Sequence, residues 1–168
     1  MADPLSPSAQ RVQDALRARG LPMQVQELPQ STRTALEAAQ AVGCQVGQIA
    51  KSLVFRAEDS GRAILVITSG AHRAGLSAIA EAIGEPVGLA DPDFVRSHTG
   101  FAIGGVPPVG HAHPLLTLID EDLLGYPVIW AAAGTPRAIF PIGPSELAAL
   151  TGGLVLCVRE GGTTSPGV

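Results

Sequence analysis

Glycine and proline divide this chain into short segments. Together they make 34 of the 168 residues, 20 Gly and 14 Pro, well above their usual share of about 12%. Each of the first four predicted helices is followed by a glycine, a residue that commonly ends helices because it tolerates left-handed backbone. These glycines are Gly20, Gly43, Gly84 and Gly100. The pattern predicts a compact fold with many turns.

The predicted helices and strands alternate irregularly. Helices are expected at Ser8–Arg19, after the capping box Thr34–Glu37, at Ser77–Ile83, after the cap Asp91 with Pro92 in the first turn, and at Pro144–Leu150. Strands are expected at Met23–Leu28, Ser52–Arg56, Ala63–Thr68, Leu115–Ile119 and Pro127–Ala132, with a final buried strand at Leu154–Val158. The turn Glu58–Gly61 makes the central pair an antiparallel hairpin.

This order of elements favours an α/β fold in one domain. We expect a mixed sheet, strongly curved or partly closed like a barrel, with helices packed around it. A doubly wound sheet fits less well, because the strand–helix–strand spacing is not sustained. The length is that of one domain, which we assign to residues 1–160. The small polar tail, residues 161–168, is expected to be flexible.

Composition and charge exclude several classes of function. The chain is 46% apolar and 15% charged, which is too hydrophobic for intrinsic disorder. Its apolar runs are far shorter than the roughly 20 residues of a membrane helix, and no secretory signal is evident. We therefore expect a cytoplasmic protein without a membrane partner. The net charge of −4 argues against binding DNA or any long nucleic acid, although contact with one end remains possible.

The sequence carries no recognisable metal, cofactor or nucleophile motif. Cys44 and Cys157 lack zinc or redox spacing, and the pair His111 and His113 has no evident further ligand. Ser69 is outside any nucleophile elbow. Asp120 is instead expected to cap a short helix. We expect neither a metal nor a cofactor.

The segment Gly100–His111 is the most unusual part of the sequence. Its glycines allow close backbone approach and present main-chain N–H groups, while Pro107 and Pro108 stiffen the loop. Such a loop suits a rigid wall or an oxyanion-type site. The alternative is an ordinary turn between a helix and a strand.

Lys51 is the single lysine of the chain, beside ten arginines. At the start of an apolar strand it could reach across a cleft and hold a phosphate or carboxylate. The alternative is a surface lysine that packs its stem on apolar neighbours. Thr68, Ser69 and Gly70 end the next strand with small residues, a common location for sites in α/β sheets.

Five motifs in order resemble the YbaK/ProX family, also called YbaK/EbsC-like. These freestanding domains are related to the editing domain inserted in bacterial prolyl-tRNA synthetase. The motifs are Ile49–Phe55, Thr68–Gly70, Gly104–His111, Ala133–Pro136 and Pro144–Thr151. The resemblance implies a mixed α/β domain that hydrolyses the ester between a wrong amino acid and the 3′ end of a tRNA, with tRNA(Pro) and a small amino acid expected.

The resemblance also assigns site residues. Lys51 matches the family's functional lysine, and Gly104–Pro108 matches its GxxxP loop. We expect Lys51 and Gly105 to be catalytic. The expected substrate-binding residues are Thr68, Ser69, Gly70, Gly104, Val106, Pro107, Pro108, Gly110, His111 and Gly134. In this interpretation Val106, Pro107 and Pro108 size the pocket, and main-chain N–H groups polarise the ester carbonyl.

Two positions depart from other members of the family. His111 stands where some carry other polar residues, and Ala133-Gly134 replaces a Ser-Gly or Gly-Gly pair. The identity of the amino acid that other family members remove is therefore not carried over to this chain. Expected partners are the acceptor end of an aminoacyl-tRNA and an aminoacyl-tRNA synthetase. Two alternatives stay open: a module that binds an aminoacyl or nucleotide-like ligand without turnover, and a purely structural interaction domain.

Overall fold

A computed structural model describes residues 4–160, so the predicted tail lies outside the described residues. The α-helices are α1 (Pro7–Ala18), α2 (Ala35–Val42), α3 (Leu76–Ile83), α4 (Pro92–Thr99) and α5 (Pro144–Thr151). The strands are β1 (Gln26–Glu27), β2 (Ile49–Ala57), β3 (Ala63–Ser69), β4 (Val87–Leu89), β5 (Leu116–Asp120), β6 (Ile129–Ala132), β7 (Ala138–Ile142) and β8 (Leu154–Leu156). Short 3-10 helices occupy Val46–Gln48 and Glu121–Gly125.

Over residues 4–160 the strands form one mixed, eight-stranded sheet. Its order is β1-β7-β6-β2-β3-β5-β8, and β4 pairs with β2 outside this path. The pairs β2–β6, β3–β5 and β5–β8 are parallel, whereas the remaining pairs are antiparallel. The sheet does not close into a barrel, because β1 and β8 stand at opposite ends of the path. The prediction of a mixed α/β domain is confirmed.

Residues close to the helix ends determine where the helices begin and end. The Thr34 hydroxyl oxygen accepts a hydrogen bond from the N–H of Glu37 at 3.1 Å, and the Asp91 carboxylate accepts one from the N–H of Phe94 at 2.8 Å. These contacts satisfy amide groups that the first turn leaves without partners. Gly84 ends α3 with a left-handed backbone, φ 85°, as the sequence predicted.

Apolar side chains fill both faces of the sheet. Neighbouring strand residues face opposite sides, and accordingly Val54 joins a large core cluster with α1 and α5, while Phe55 joins a smaller cluster with α3. In the part of the chain that the structure describes, no helix has the length and apolar character needed to cross a membrane.

Two strand predictions are corrected, and two strands were missed. The last strand is not buried: Leu154 and Val155 of β8 are 58% and 41% exposed, because β8 is an edge strand with one partner among the described residues. Strand β1 is only two residues long. Strands β4 and β7 were not predicted, and β7 contains Pro141, a residue that ordinarily argues against a strand interior.

Candidate functional site

A gap in the sheet forms the candidate site. One edge of β2 pairs with β6 at Ile49 and Ala50, and with β4 from Phe55 to Ala57. Between these two partners, no strand among residues 4–160 lies beside residues 51–54 of β2 on that edge. A cavity of about 240 Å³ lies here. It is smaller than the roughly 300–1,000 Å³ of sites that hold drug-sized ligands, and suits a group such as one amino acid.

The cavity wall is mostly apolar. It is built from the start of α2 and the segment before it, β2, α4 and the residues before it, the segment Gly100–His111 (the glycine loop) and the β6–β7 pair. The lining residues are Thr32, Arg33, Thr34, Ala35, Ala38, Ile49, Ala50, Lys51, Ser52, Leu53, Val54, Leu89, Ala90, Val95, Ile103, Gly104, Val106, Trp130, Ala132 and Ile139. The charged side chains in this set, Lys51 and Arg33, are both cations, so the cavity favours an anionic or electron-rich ligand.

Lys51 lies at the gap, half-buried and opposite Thr68 of β3. Burial lowers the pKa of Lys51, and the positive charge of Arg73 lowers it further. Both effects disfavour the charged form of an amine. A bound anionic ligand would favour the charged form of Lys51 and so raise its pKa again. The charge of Lys51 therefore depends on whether an anion occupies the site.

Arg33 brings a second positive charge to the cavity. A Cβ added to Gly104 would lie 3.3 Å from Cγ of Arg33, so the arginine side chain lies against the glycine loop. Arg33 directly precedes the N-cap Thr34 of α2. Helix N-termini attract anions through their dipole and free N–H groups, and Arg33 adds a full charge at the same place.

The glycine loop turns sharply at the cavity. The N–H of Gly105 donates to the carbonyl of Ala102 at 3.1 Å, and Gly104 in the turn has φ 93°. Gly104 and Val106 line the cavity, and neither donates its N–H to an acceptor within residues 4–160. Within this loop, the N–H groups of Gly104 and Val106 are thus unbound at the cavity, whereas that of Gly105 is already bound.

Gly105 and Gly134 support the loop from behind. The N–H of Gly134 donates to the carbonyl of Gly105 at 2.8 Å. A Cβ on Gly134 would lie 2.6 Å from the carbonyl oxygen of Ser8, so this glycine also lets α1 approach. Both residues belong to the packing that fixes the cavity wall and lie outside the wall itself.

The second half of the loop lies away from the cavity. Pro107 and Pro108 are buried but are not lining residues, so of the three residues expected to size the pocket only Val106 does so. His111 holds this segment, since its Nε2 donates to the carbonyl of Pro107 at 2.6 Å. Burial lowers the pKa of His111, although the hydrogen bond to Pro107 acts in the opposite direction. Gly110 packs near Ala15 of α1.

Thr68 and Ser69 form hydrogen bonds within the protein, to the buried Asp120. Oδ2 of Asp120, which is 1% exposed, accepts from the Thr68 hydroxyl at 3.2 Å and from the Ser69 N–H at 2.9 Å. It also contacts Nε2 of His72. Since a buried carboxylate needs several donors, Thr68 and Ser69 serve Asp120 and do not reach the cavity.

Gly70 acts on the site through packing. A Cβ there would lie 2.5 Å from the Val46 carbonyl oxygen and 2.6 Å from Cβ of Ala35. The absence of a side chain thus lets the start of α2 settle beside the sheet, where Ala35 lines the cavity.

His72, Asp120 and Asp122 are close enough for their ligand atoms to lie within 4.8 Å of one another. The contacts of this cluster are already internal. Oδ1 of Asp120 accepts the N–H of Asp122 at 2.9 Å, and Oδ2 of Asp122 pairs with Arg159 at 3.0 Å. A cation would compete with the arginine and with several donors, so we assign no metal to this cluster.

Sequence reasoning missed several cavity residues. Arg33, Ser52, Ile103 and Trp130 line the cavity but were not predicted. A signal existed for Arg33, which is a basic residue directly before a capped helix. Trp130 offers no such local signal, because the parallel pairing of β6 with β2 brings it to the site.

The fold and cavity define a class of small single-domain protein with a ligand site at a gap in a mixed sheet. Residues 29–150 match the family model described as "Aminoacyl-tRNA editing domain". The chain belongs to this family, which confirms the resemblance deduced from the motifs.

The chain is also similar to individual proteins and solved structures. The chain is 31% identical over 123 residues to "Uncharacterized protein YwhH" of Bacillus subtilis (strain 168), covering 73% of this chain and 78% of that one. It is 58% identical, with TM-score 0.89, to the structure described as "Crystal structure of a putative trans-editing enzyme for prolyl tRNA synthetase", covering 94% and 100%. It is 31% identical to "hypothetical protein APE2540", with TM-score 0.83 and coverage of 89% and 99%.

Proposed function

We propose that this protein is a trans-acting aminoacyl-tRNA deacylase. It removes a small wrong amino acid from tRNA(Pro) in the cytoplasm, and a prolyl-tRNA synthetase is the partner that supplies the mischarged tRNA. The observation that carries the proposal is the cavity, which is sized for one amino acid, walled by apolar side chains and charged by Lys51 and Arg33. Membership of the editing family supports this interpretation.

The cations suit the end of a tRNA. A 3′-terminal nucleotide offers a phosphate and ribose hydroxyls, and cations at a cavity mouth can hold them without an extended basic surface. The net charge of −4 opposes contact with a long duplex. The interaction is therefore confined to the acceptor end, with Arg33 on the phosphate and Lys51 nearer the ester.

Hydrolysis would proceed by direct attack of water on the ester carbonyl carbon. The new C–O bond forms as the C=O π bond opens and its electrons move to the carbonyl oxygen, which gives a tetrahedral oxyanion. The carbonyl then forms again as the bond to the ribose oxygen breaks, and that oxygen takes a proton from the attacking water. The products are the free amino acid and the uncharged tRNA. Among the lining residues that the structure describes there is no histidine or cysteine, so positioning and electrostatic stabilisation are the means that these residues offer.

Stabilisation of the developing oxyanion would come from Lys51 and the N–H groups of Gly104 and Val106. The sequence-based prediction placed the donors around Gly104, Gly105 and Gly110; of these we retain Gly104 and replace Gly105, because the N–H of Gly105 is bound to Ala102. Removal of one such contact typically lowers a rate about 100-fold to 1,000-fold.

The test is single-turnover release of amino acid from tRNA(Pro) charged separately with alanine, serine, threonine, cysteine and proline. Lys51→Met keeps the length of the side chain without its charge, and we expect it to slow release about 100-fold. Arg56→Ala is the matched control, since it removes an exposed cation from the same strand, and we expect the wild-type rate.

Two outcomes would overturn the proposal. If every charged tRNA survives at high protein concentration, the chain is not a deacylase. Tight binding of a non-hydrolysable aminoacyl-adenosine in that case would identify a binding module. If Lys51→Met and Arg56→Ala release amino acid equally fast, the cavity is not the reaction site.

A further inference from the structure

Two anchors hold the turn at the tip of the glycine loop. The turn runs from Ala102 to Gly105, whose N–H donates to the Ala102 carbonyl at 3.1 Å. Directly before the turn, Phe101 is 1% exposed and belongs to the large core cluster. At the end of the turn, the Gly105 carbonyl accepts the N–H of Gly134 at 2.8 Å. Gly104 lies between these two anchors and lines the cavity, so the anchors decide where its N–H stands.

Arg11 of α1 reaches the first anchor. Its Nη2 donates to the carbonyl of Gly100 at 2.7 Å, and its guanidinium carbon lies 4.4 Å from the centroid of the Phe101 ring. A cation at this distance is attracted to the face of an aromatic ring. One side chain thus holds both the glycine that ends α4 and the aromatic residue that precedes the turn.

The same helix reaches the second anchor. A Cβ on Gly134 would lie 2.6 Å from the carbonyl oxygen of Ser8, so the main chains of Gly134 and α1 are in close contact. Ser8 and Arg11 are three residues apart, and residues at this spacing lie on one face of a helix. One face of α1 therefore contacts the chain on both sides of the turn, and it sets the separation between the two anchors.

We propose that Arg11 is a positioning residue for the reaction, which holds the turn so that the N–H groups of Gly104 and Val106 face the developing oxyanion. This rests on the proposed function. The residues that match the family model begin at 29, so α1 lies before them and the match assigns no role to Arg11. Arg11 is not a lining residue of the cavity, and it acts through the turn rather than by touching the ligand.

A displaced donor should slow the chemical step and leave substrate binding unchanged. The oxyanion exists only in the transition state and the intermediate beside it, so a contact to it contributes to the maximal rate and not to affinity. Such geometry is sensitive, because a displacement of about 1 Å can cost about 100-fold in rate. We expect Arg11→Ala to lower the maximal rate about 10-fold to 100-fold, at an unchanged half-saturating concentration.

The kinetic test measures single-turnover release at increasing protein concentration, on the mischarged tRNA(Pro) that the wild type cleaves fastest. Arg17→Ala is the matched control, since it removes an exposed arginine from the same helix, and it should match the wild type. Guanidinium at a low, non-denaturing concentration should restore part of the rate of Arg11→Ala by occupying the vacated place, and should not accelerate Arg17→Ala. Equal maximal rates in Arg11→Ala and Arg17→Ala would overturn the proposal.

Thermal unfolding separates positioning from folding. Arg11 is exposed and alanine favours helices, so the Tm of Arg11→Ala should stay within about 5 °C of the wild-type value. A purely structural arginine would lower the Tm, leave the maximal rate of the folded protein unchanged and give no response to guanidinium. That combination would refute the proposal.

Amide NMR keeps this inference separate from the deacylase proposal. In ¹⁵N-labelled protein, the N–H signals of Gly104 and Val106 should shift in Arg11→Ala and stay in place in Arg17→Ala, whether or not an ester is cleaved. If these signals shift while the wild type cleaves no charged tRNA, the deacylase proposal fails and Arg11 still positions the turn. Signals that do not move in Arg11→Ala would remove the role of Arg11 and leave the deacylase standing.

Discussion

Gly105 and Gly134 lie back to back behind the cavity wall. A Cβ on Gly105 would stand 2.9 Å from the Gly134 carbonyl oxygen and 2.8 Å from the Thr135 nitrogen. These are main-chain atoms, which cannot move aside as a flexible side chain can. The closeness of two glycine backbones therefore sets the position of the loop that carries Gly104 and Val106.

Gly105→Ala should disturb this loop. We expect it to destabilise the protein by about 1–3 kcal/mol, as overpacking generally does, and to slow amino-acid release. Urea unfolding and single-turnover kinetics measure the two effects. Gly125→Ala is the control, because an added Cβ there meets no atom within 4 Å. If Gly105→Ala matches Gly125→Ala in both measurements, the contact does not position the loop.

Arg73→Gln should raise the pKa of Lys51 toward its ordinary value of 10.5, because the charge of Arg73 is one of the two causes that lower it. The chain has a single lysine, so a protein labelled with ¹³C at lysine Cε gives one signal to titrate by NMR. Arg62→Gln is the control, since Arg62 lies by the turn of the β2–β3 hairpin, at the end opposite Lys51. Equal Lys51 pKa values in wild type and Arg73→Gln would contradict the electrostatic cause.

Asp120→Asn should be strongly destabilising. The carboxylate is 1% exposed and faces donors from Thr68, Ser69 and His72. Removing its charge leaves these donors poorly matched, for a loss of about 3 kcal/mol in the free energy of unfolding. Asp122→Asn breaks a pair with Arg159 whose side chains are 40% and 43% exposed, and should cost less than about 1 kcal/mol. Similar losses in the two variants would show that burial of Asp120 is not decisive.

His111 should make stability depend on pH. Its pKa is lowered from 6.5 in the folded protein, so the unfolded chain takes up the proton first as the pH falls. Stability from neutral His111 is thus present above about pH 6.5 and declines as the pH falls from there toward the lowered folded pKa. The Tm of His111→Gln should fall less steeply than that of the wild type between about pH 7 and pH 5. Parallel curves would exclude this contribution.

Arg33→Ala should weaken binding of a tRNA acceptor-stem minihelix and make it less sensitive to salt. Loss of one phosphate contact reduces the slope of log affinity against log salt by about 1. Arg19→Ala, at the exposed end of α1, is the control and should keep the wild-type slope. An unchanged slope in Arg33→Ala would place the phosphate elsewhere.

Local features of the fold were predictable from the sequence, whereas long-range pairing was not. The caps Thr34 and Asp91 act within three residues, so their helices follow from short motifs. Strand β7 depends on pairing with β6 and β1, which overrides the local effect of Pro141. A single-sequence pattern carries no information about such partners.

The site residues divide in the same way, into those that a local motif predicts and those that only the fold brings to the cavity. Lys51 and Gly104 were predicted by family resemblance, and both line the cavity. Pro107 and Pro108 share the motif but turn away from it, because a motif gives the order of residues and not the direction of each one. Trp130 was missed because the pairing of β6 with β2, and not a local motif, brings it to the cavity.

The gap in β2 has a consequence for solubility. A strand edge without a partner is a template for pairing with other chains, and proteins protect such edges with charge or keep them short. Here the open stretch spans residues 51–54, begins with the charged Lys51 and is recessed in a cavity. Because the open stretch is short, charged and recessed, we expect it to admit a small ligand but not a foreign strand.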